Sequence, residues 1–318
     1  MRFTDVHVHL AALPTPDNGC RMSPRMLRSP VSRMVCALQG IPLDRPEEAN
    51  RIYLERLTAE LRRSRRVGRA VLLGLDGVYD EAGRLDEART HMLVSNDCVF
   101  AAAASEPELF LPGVSINPQR ADAIDELERC AAKGAALVKI LANAQRFDPA
   151  APRYRPFYRA LARLGLPLLA HVGFEFTVTG CDQSVGDLER PIPALEEGVT
   201  VIAAHGGSNG LVFREKHWPV LRELVRRFSD LYVDLSALTV LSRVGQLLRI
   251  RRHPELFDRL LFGTDYPVPV SSYPCLLAGA GRAWLAARAA DNRFDRQCLV
   301  LEALGIKLTA DLSGLPRR

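Results

Sequence analysis

The run Asp5-Val6-His7-Val8-His9 sets two imidazoles two residues apart in a stretch of strand-forming residues. Alternate side chains of a strand share a face, so Asp5, His7 and His9 are expected on one side, with Val6 and Val8 packing outward on the other. A step of ~6.6 Å between residues i and i+2 lets both rings lean onto one ion at ~2.0 to 2.1 Å. The bland alternative is a pair of polar residues on a solvated edge strand. The flanking Phe3 and Leu10 argue against it, because they mark a buried strand, and a buried histidine needs a partner.

Three later runs end in the same way: Leu168-Leu169-Ala170-His171, Val201-Ile202-Ala203-Ala204-His205 and Phe262-Gly263-Thr264-Asp265. Any one of these terminal residues alone would read as an ordinary satisfied core or edge group. Their recurrence at the ends of separate apolar runs points to a shared metal site. Nitrogen and oxygen donors without cysteine suit Zn²⁺ first, with Mn²⁺ and Fe²⁺ as alternatives. Lys139, in Ala136-Leu137-Val138-Lys139-Ile140-Leu141, is the other chemically suggestive residue. An ammonium facing an apolar interior is costly unless paired or converted. Facing outward, or pairing with an acid such as Asp5, are its alternatives.

Short β-rich runs alternate with longer amphipathic ones, the pattern of βα units around a parallel sheet. Strands are predicted over Phe3–His9, Ala70–Leu75, Phe110–Ile116, Ala136–Leu141, Leu166–Val172, Val199–His205, Leu231–Leu235 and Leu260–Thr264. Helices are predicted over Glu47–Arg66, Ala121–Lys133, Pro156–Leu164, Pro191–Glu197 and Trp218–Phe228, with an extra one within Asp291–Gly305. Gly134, Gly165 and Gly198 stand where a helix C-terminus favours positive φ. Eight such units either close into a (β/α)8 TIM barrel or lie open. Polar residues recurring at strand ends along the chain favour the barrel, whose strands converge on one mouth. The lack of a G-x-G-x-x-G after the first strand counts against a dinucleotide-binding sheet.

Ala11–Arg45 is a long insertion after strand one, and Ala142–Pro156 a shorter one after strand four; both leave from the mouth, where long loops act as lids or substrate walls. The first carries Arg21, Arg25, Arg28 and Arg33, which read first as solvated surface, with one of them a candidate to clamp a substrate carboxylate bidentately. Asp234, in Tyr232-Val233-Asp234-Leu235-Ser236, would support a ligand, touch substrate or cap the next helix. His91, His217 and His253 read as solvated or packed side chains.

At 318 residues, with 47% hydrophobic and 25% charged residues, the chain has the composition of one soluble barrel domain spanning 1–318. No apolar run reaches the ~18 to 20 residues of a membrane span. The first residues lack a secretory h-region, and the seven cysteines are scattered without C-x-x-C spacing, so a reduced, cytoplasmic location is expected. A net charge of +5 with dispersed Lys and Arg speaks against nucleic acid as a partner. A small molecule is the expected partner, a carboxylate-bearing one included.

The segments DVHVH, PLLAHVG, VIAAHGG and FGTDYP, in that order, resemble the amidohydrolase superfamily in its amidohydrolase-2 branch over nearly the whole chain. The resemblance implies that His7, His9, His171 and Asp265 bind metal and that Asp265 also takes a proton from the attacking water. His205 would bind a second metal, or in one-metal members touch substrate and serve acid–base chemistry. Two-metal members often carry a lysine that reacts with CO2, so an N-carboxylated Lys139 would bridge two ions. The implied activity is metal-dependent hydrolysis of an amide, lactone or ester. The alternative within the branch is a one-metal, non-oxidative decarboxylase of an aromatic or unsaturated acid. A barrel that binds without catalysis is the third class, and the full ligand set speaks against it.

Overall fold

The apolar runs form one eight-stranded parallel sheet in the computed structural model, which describes residues 2–30, 33, 36–37, 40–211 and 215–315. The strands are β1 (Phe3–His9), β2 (Val67–Leu73), β3 (Phe110–Ser115), β4 (Leu137–Ile140), β5 (Leu168–Ala170), β6 (Val201–Ala203), β7 (Leu231–Asp234) and β8 (Leu260–Leu261), each paired with the next in sequence. Backbone hydrogen bonds close the ring between its last and first strands: Val6 N donates to Phe262 O (3.0 Å), Asp265 N to His7 O (2.9 Å) and His9 N to Tyr266 O (2.9 Å). The result is a (β/α)8 barrel.

Helices cover the outside. The principal ones are α1 (Pro46–Arg63), α2 (Asn96–Ser105), α3 (Ala123–Ala132), α4 (Arg155–Leu164), α5 (Ile192–Glu196), α6 (His217–Arg227), α7 (Val244–Ile250) and, after β8, α8 (Arg293–Ala303). In α1, Pro46 opens the first turn, Glu47 and Glu48 follow it, and Arg62 and Arg63 close the last, an order that suits the helix dipole. Gly165 ends α4 at φ +62°, where a Cβ would be strained. Among the described residues, no helix is long and apolar enough to cross a membrane.

Two apolar layers divide the strand residues. Ala70, Leu72, Val138, Leu168, Ala170, Val201, Ala203 and Leu260 pack with helix residues such as Leu57, Leu127 and Leu161. Their neighbours Val71, Leu73, Leu137, Leu169, Ile202 and Leu261 pack together inside the ring, which Leu312 and Leu315 join from the C-terminal segment. Strict alternation fails in β1. Val6 joins the inner layer, because the β1–β2 register slips between Asp5 and Val8, a bulge that lets Val6 and His7 both serve the interior. Asp5 therefore does not share a face with His7 and His9 as the alternation implied; its carboxylate accepts instead from Thr264 Oγ1 (2.6 Å), Thr264 N (3.2 Å) and His7 N (2.9 Å).

The insertion after β1 is folded. Arg21–Met22 pairs antiparallel with Met92–Leu93, and a short helix, Pro24–Leu27, follows under a Ser23 cap whose Oγ accepts from Met26 N at 3.2 Å. Leu13 ties this segment to α1 through both polar atoms of the Asn50 amide, at 2.7 and 2.9 Å.

Candidate active site

The residues with chemistry gather at the C-terminal ends of the strands. His9 ends β1. Lys139 is two residues beyond the inner-layer Leu137 in β4 and so faces the axis, only 1% exposed. His171 directly follows β5. The predicted strands six and eight stop short of His205 and Asp265, which lie in turns at φ +58° and +65°. That region is sparsely populated for residues with a Cβ and costs ~1 kcal/mol or more each. Backbone bonds hold both turns: His205 N donates to Asp234 Oδ1 at 2.9 Å, and Asp265 N to His7 O. Leaving the ladder is what swings these two side chains over the mouth.

Three donor atoms converge. His7 Nε2 and His9 Nε2 are 3.3 Å apart, and Asp265 Oδ1 lies 3.3 Å from the first and 3.2 Å from the second. Ligands at ~2.0 to 2.1 Å from a tetrahedral ion are ~3.3 Å from one another, so this triangle has the dimensions of one face of such a site. Lys139 Nζ stands 3.2 Å from His7 Nε2 and can donate to it. His171 and His205 do not join this close trio; they pair with each other, Nδ1 to Nε2, at 3.1 Å.

Asp234 sets the tautomers of the three buried histidines of the site, His7, His205 and His171. Its Oδ2 accepts from His7 Nδ1 at 2.7 Å, which leaves His7 Nε2 with a free lone pair. Its Oδ1 accepts the Ser236 hydroxyl proton, so Ser236 Oγ in turn accepts from His205 Nδ1 at 2.8 Å. His205 Nε2 must then accept from His171 Nδ1. The chain ends at His171 Nε2, a buried lone pair with no hydrogen-bond partner, 3.8 Å from Glu175 Oε2. An unpartnered buried imidazole nitrogen is costly by itself and suits a ligand.

The charges fit the same picture. Burial, reinforced by Lys139, holds the His7 imidazolium pKa below its ordinary value. His171 is pushed well down by burial, then by Lys139 and Arg243; His205 by burial, then by Arg243 and His171. All three are therefore neutral at pH 7, the state that ligates metal. Burial alone would raise the Asp234 carboxyl, but the favourable electrostatic interaction and hydrogen bond with His7, with Ser236 and Lys139, hold it at about 2. Asp265 is likewise held down by His7 and His9 against its own burial. Lys139 falls to about 8 through burial, although Asp234, Asp265 and Glu175 oppose the shift.

Above the site lies a cavity of about 360 Å³ that reaches His9, Lys139, His171, His205 and Asp265. Two alternatives that the sequence left open are closed here. No arginine of the insertion lines it among the described residues; Arg21 pairs with Glu87 at 2.5 Å instead. Lys139 neither faces outward nor pairs with Asp5, whose carboxylate is taken by Thr264. His217 is packed, with Nδ1 on Gly207 O at 3.1 Å and Nε2 on Asp187 at 3.2 Å. Sequence reasoning missed Ser236, Glu175 and Arg243. Arg243, 7% exposed, donates to the carbonyls of Val172, Ser208 and Phe174, tying the loops after β5 and β6 together. An acid four residues after His171 was the only available signal for Glu175.

Residues 4–294 match the amidohydrolase family. No curated protein matches the chain in sequence. Among solved structures, it is similar to an uncharacterised TIM-barrel protein from Bordetella bronchiseptica, at 18% identity and a TM-score of 0.59, over 96% of this chain and 100% of that one. A probable 2-pyrone-4,6-dicarboxylic acid hydrolase from Acinetobacter baumannii matches at 15% identity and a TM-score of 0.55, over 96% and 100%. A 5-carboxyvanillate decarboxylase from Novosphingobium aromaticivorans, with bound manganese, matches at 15% and 0.51, over 94% of each chain. At such identities the likeness is one of fold. The family match is of another kind: it takes in β1, β5, β6 and the turn after β8, whose ends carry the donor residues, and this chain belongs to the amidohydrolase family, in its amidohydrolase-2 branch.

Proposed function

We propose that the protein is a metal-dependent hydrolase that adds water to the carbonyl of an amide, lactone or ester in a small substrate. The observation that carries this is the triangle of His7 Nε2, His9 Nε2 and Asp265 Oδ1, with sides of 3.2 to 3.3 Å. His171 Nε2, left without a partner, is the natural fourth donor. The donor set admits Zn²⁺ and Mn²⁺, and the fold likeness to a manganese-bound decarboxylase supports trying both.

A divalent ion supplies Lewis acidity, which polarises a carbonyl and eases deprotonation of water. The chain's own residues do the rest. Asp234 fixes the His7 ring, and through Ser236 and His205 the His171 ring. Asp265, ionised at neutral pH, keeps an oxygen free to take the proton of the attacking water. As the new C–O bond forms and the bond to the leaving nitrogen or oxygen breaks, Asp265 returns that proton to the leaving atom. His205, neutral and facing the cavity, is the second acid–base candidate.

Lys139 bears on metal number. Its lowered pKa makes the neutral amine accessible once the ammonium has lost one proton, and that amine can add CO2: an N–C bond forms as one C=O π bond opens, a second proton leaves the nitrogen, and the product is an anionic carbamate with two oxygen donors. Such a group would hold a second ion together with His171 and His205, which would require the His205 Nε2 to His171 Nδ1 hydrogen bond to give way and His171 to serve the second ion rather than the first. If Lys139 remains an ammonium it can instead hold a substrate carboxylate, and this supports a second reading, loss of CO2 from a carboxylic acid with proton return to carbon.

Metal analysis of protein expressed with Zn²⁺ or Mn²⁺, followed by product analysis, tests the proposal. Bound metal with carbonyl hydrolysis and no CO2 release supports hydrolysis. Metal-dependent CO2 release selects the decarboxylase. Failure of the protein to take up either ion removes both.

A further inference from the structure

Among the described residues, the side chains that the insertion after β1 brings to the cavity carry no charge and, apart from the Cys36 thiol, are apolar. Met22, Met26, Leu27, Ile41 and Leu43 come from the insertion after β1, and Met92 from the partner strand of its ribbon. Two polar side chains on this side, Asn50 and Tyr53, are already committed: the Asn50 amide is bonded at both atoms to Leu13, and the Tyr53 hydroxyl donates to His9 O at 2.5 Å. The one cationic side chain lining the cavity among the described residues is Lys139, at its floor beside His7, and the carboxylates there, Asp265 and Glu175, are also on the donor side.

From this segregation we infer that the substrate carries one polar reacting group on a sizeable apolar body, an alkyl chain or an unsubstituted aryl group, with no second charge at its far end. The inference rests on the metal-site reading only for the place of the polar head. A second carboxylate reaching the insertion wall would be buried against methionine and leucine with no counter-ion among the described residues, which costs far more than the added contact returns. An apolar end there displaces water from surface that no protein group covers. At about 360 Å³ the space is that of a small-molecule pocket. Methionines make such a wall adaptable, since the unbranched thioether repacks around different apolar shapes. The dicarboxylate in the name of one structural relative thus marks a substrate class that this chain's cavity disfavours.

Calorimetric titration of the metal-loaded protein with butanoate, hexanoate, octanoate and octanedioate tests the inference. Affinity should rise about fourfold per added methylene from butanoate to octanoate, and octanedioate should bind at least about tenfold more weakly than octanoate, the loss expected for an unpaired buried charge. Met26→Arg, or Leu43→Arg should the first variant not fold, ought to reverse the order of octanoate and octanedioate. A flat chain-length series, octanedioate equal to or tighter than octanoate, or no binding of octanoate overturns the inference. The same titration after chelation separates it from the metal reading. Chain-length dependence that survives while overall affinity falls supports both, and dependence that survives with affinity unchanged sinks only the metal head-group site.

Discussion

His7 Nδ1 lies 2.7 Å from Asp234 Oδ2, with both side chains fully buried, so the ring that offers Nε2 to the site is fixed from behind by a carboxylate. Asp234→Asn keeps the shape but replaces an acceptor with a donor, and Asp234 also accepts from Ser236 and the His205 amide. Metal affinity should fall about 10- to 100-fold. Competition with a chromophoric chelator measures it, and unchanged affinity would show that the carboxylate does not set the ligand tautomer.

Asp265 faces a different test, because the proposed function makes its carboxylate both metal donor and base. Asp265→Asn retains one ligating oxygen and loses the proton acceptor. The variant should keep its metal and fold while turnover drops by about 10² to 10⁴-fold. Near-normal turnover in a metal-replete variant would pass the role of base to His205.

For Lys139, the expectation is a carbamate carbon resonance in protein equilibrated with ¹³C-labelled bicarbonate, absent from Lys139→Ala, together with a second ion per chain that the variant loses. Equal metal content in both proteins and no labelled signal would leave Lys139 an amine and favour the one-ion decarboxylase.

A pH effect on stability follows from Asp5. Burial pushes its carboxyl up to about 7 from an ordinary 3.8, against the hydrogen bonds of Thr264 and the His7 amide. The folded state thus holds the proton more tightly than the unfolded chain. The contribution to stability is fully present below pH 4, is lost progressively as pH rises towards 7, and changes no further above it, a span of about 4 kcal/mol. Asp5→Asn removes the titration. In chelator, the urea stability of the variant relative to the parent should improve steadily from pH 4 to 7, and a constant difference over that range would contradict the assignment.

The barrel was legible in the alternating runs, and so was the gathering of His9, His171, His205 and Asp265 at one end of it, because each closes or follows an apolar run; the direction in which His205 and Asp265 point was not, since both lie in turns at positive φ beyond their strands. Lys139 was legible as a problem rather than an answer: its burial follows from the period, its neighbours do not. The bulge in β1 was invisible, since Val-His-Val-His reads as strict alternation whether or not a residue is slipped. Ser236 and Arg243 were hidden for another reason. A serine two residues past Asp234 becomes a hydrogen-bond link to His205 only once β7 lies beside β6 in the closed ring, and the arginine's work is on carbonyls that any sequence has. Which insertion residues would face the cavity was not legible either: the four arginines are there in the sequence, but among the described residues it is methionine, leucine and isoleucine that line it.

The ring is closed by a seam that joins β1 to the residues around β8 through few hydrogen bonds, and the donor triangle straddles it, two corners on the first strand and one just past the last. An ion held there would act as a clasp between the two ends of the sheet. Occupancy and closure then belong to one equilibrium: stripping the site should loosen the barrel first along this line, with amide exchange at Val6, His9 and Asp265 quickening ahead of the strands opposite.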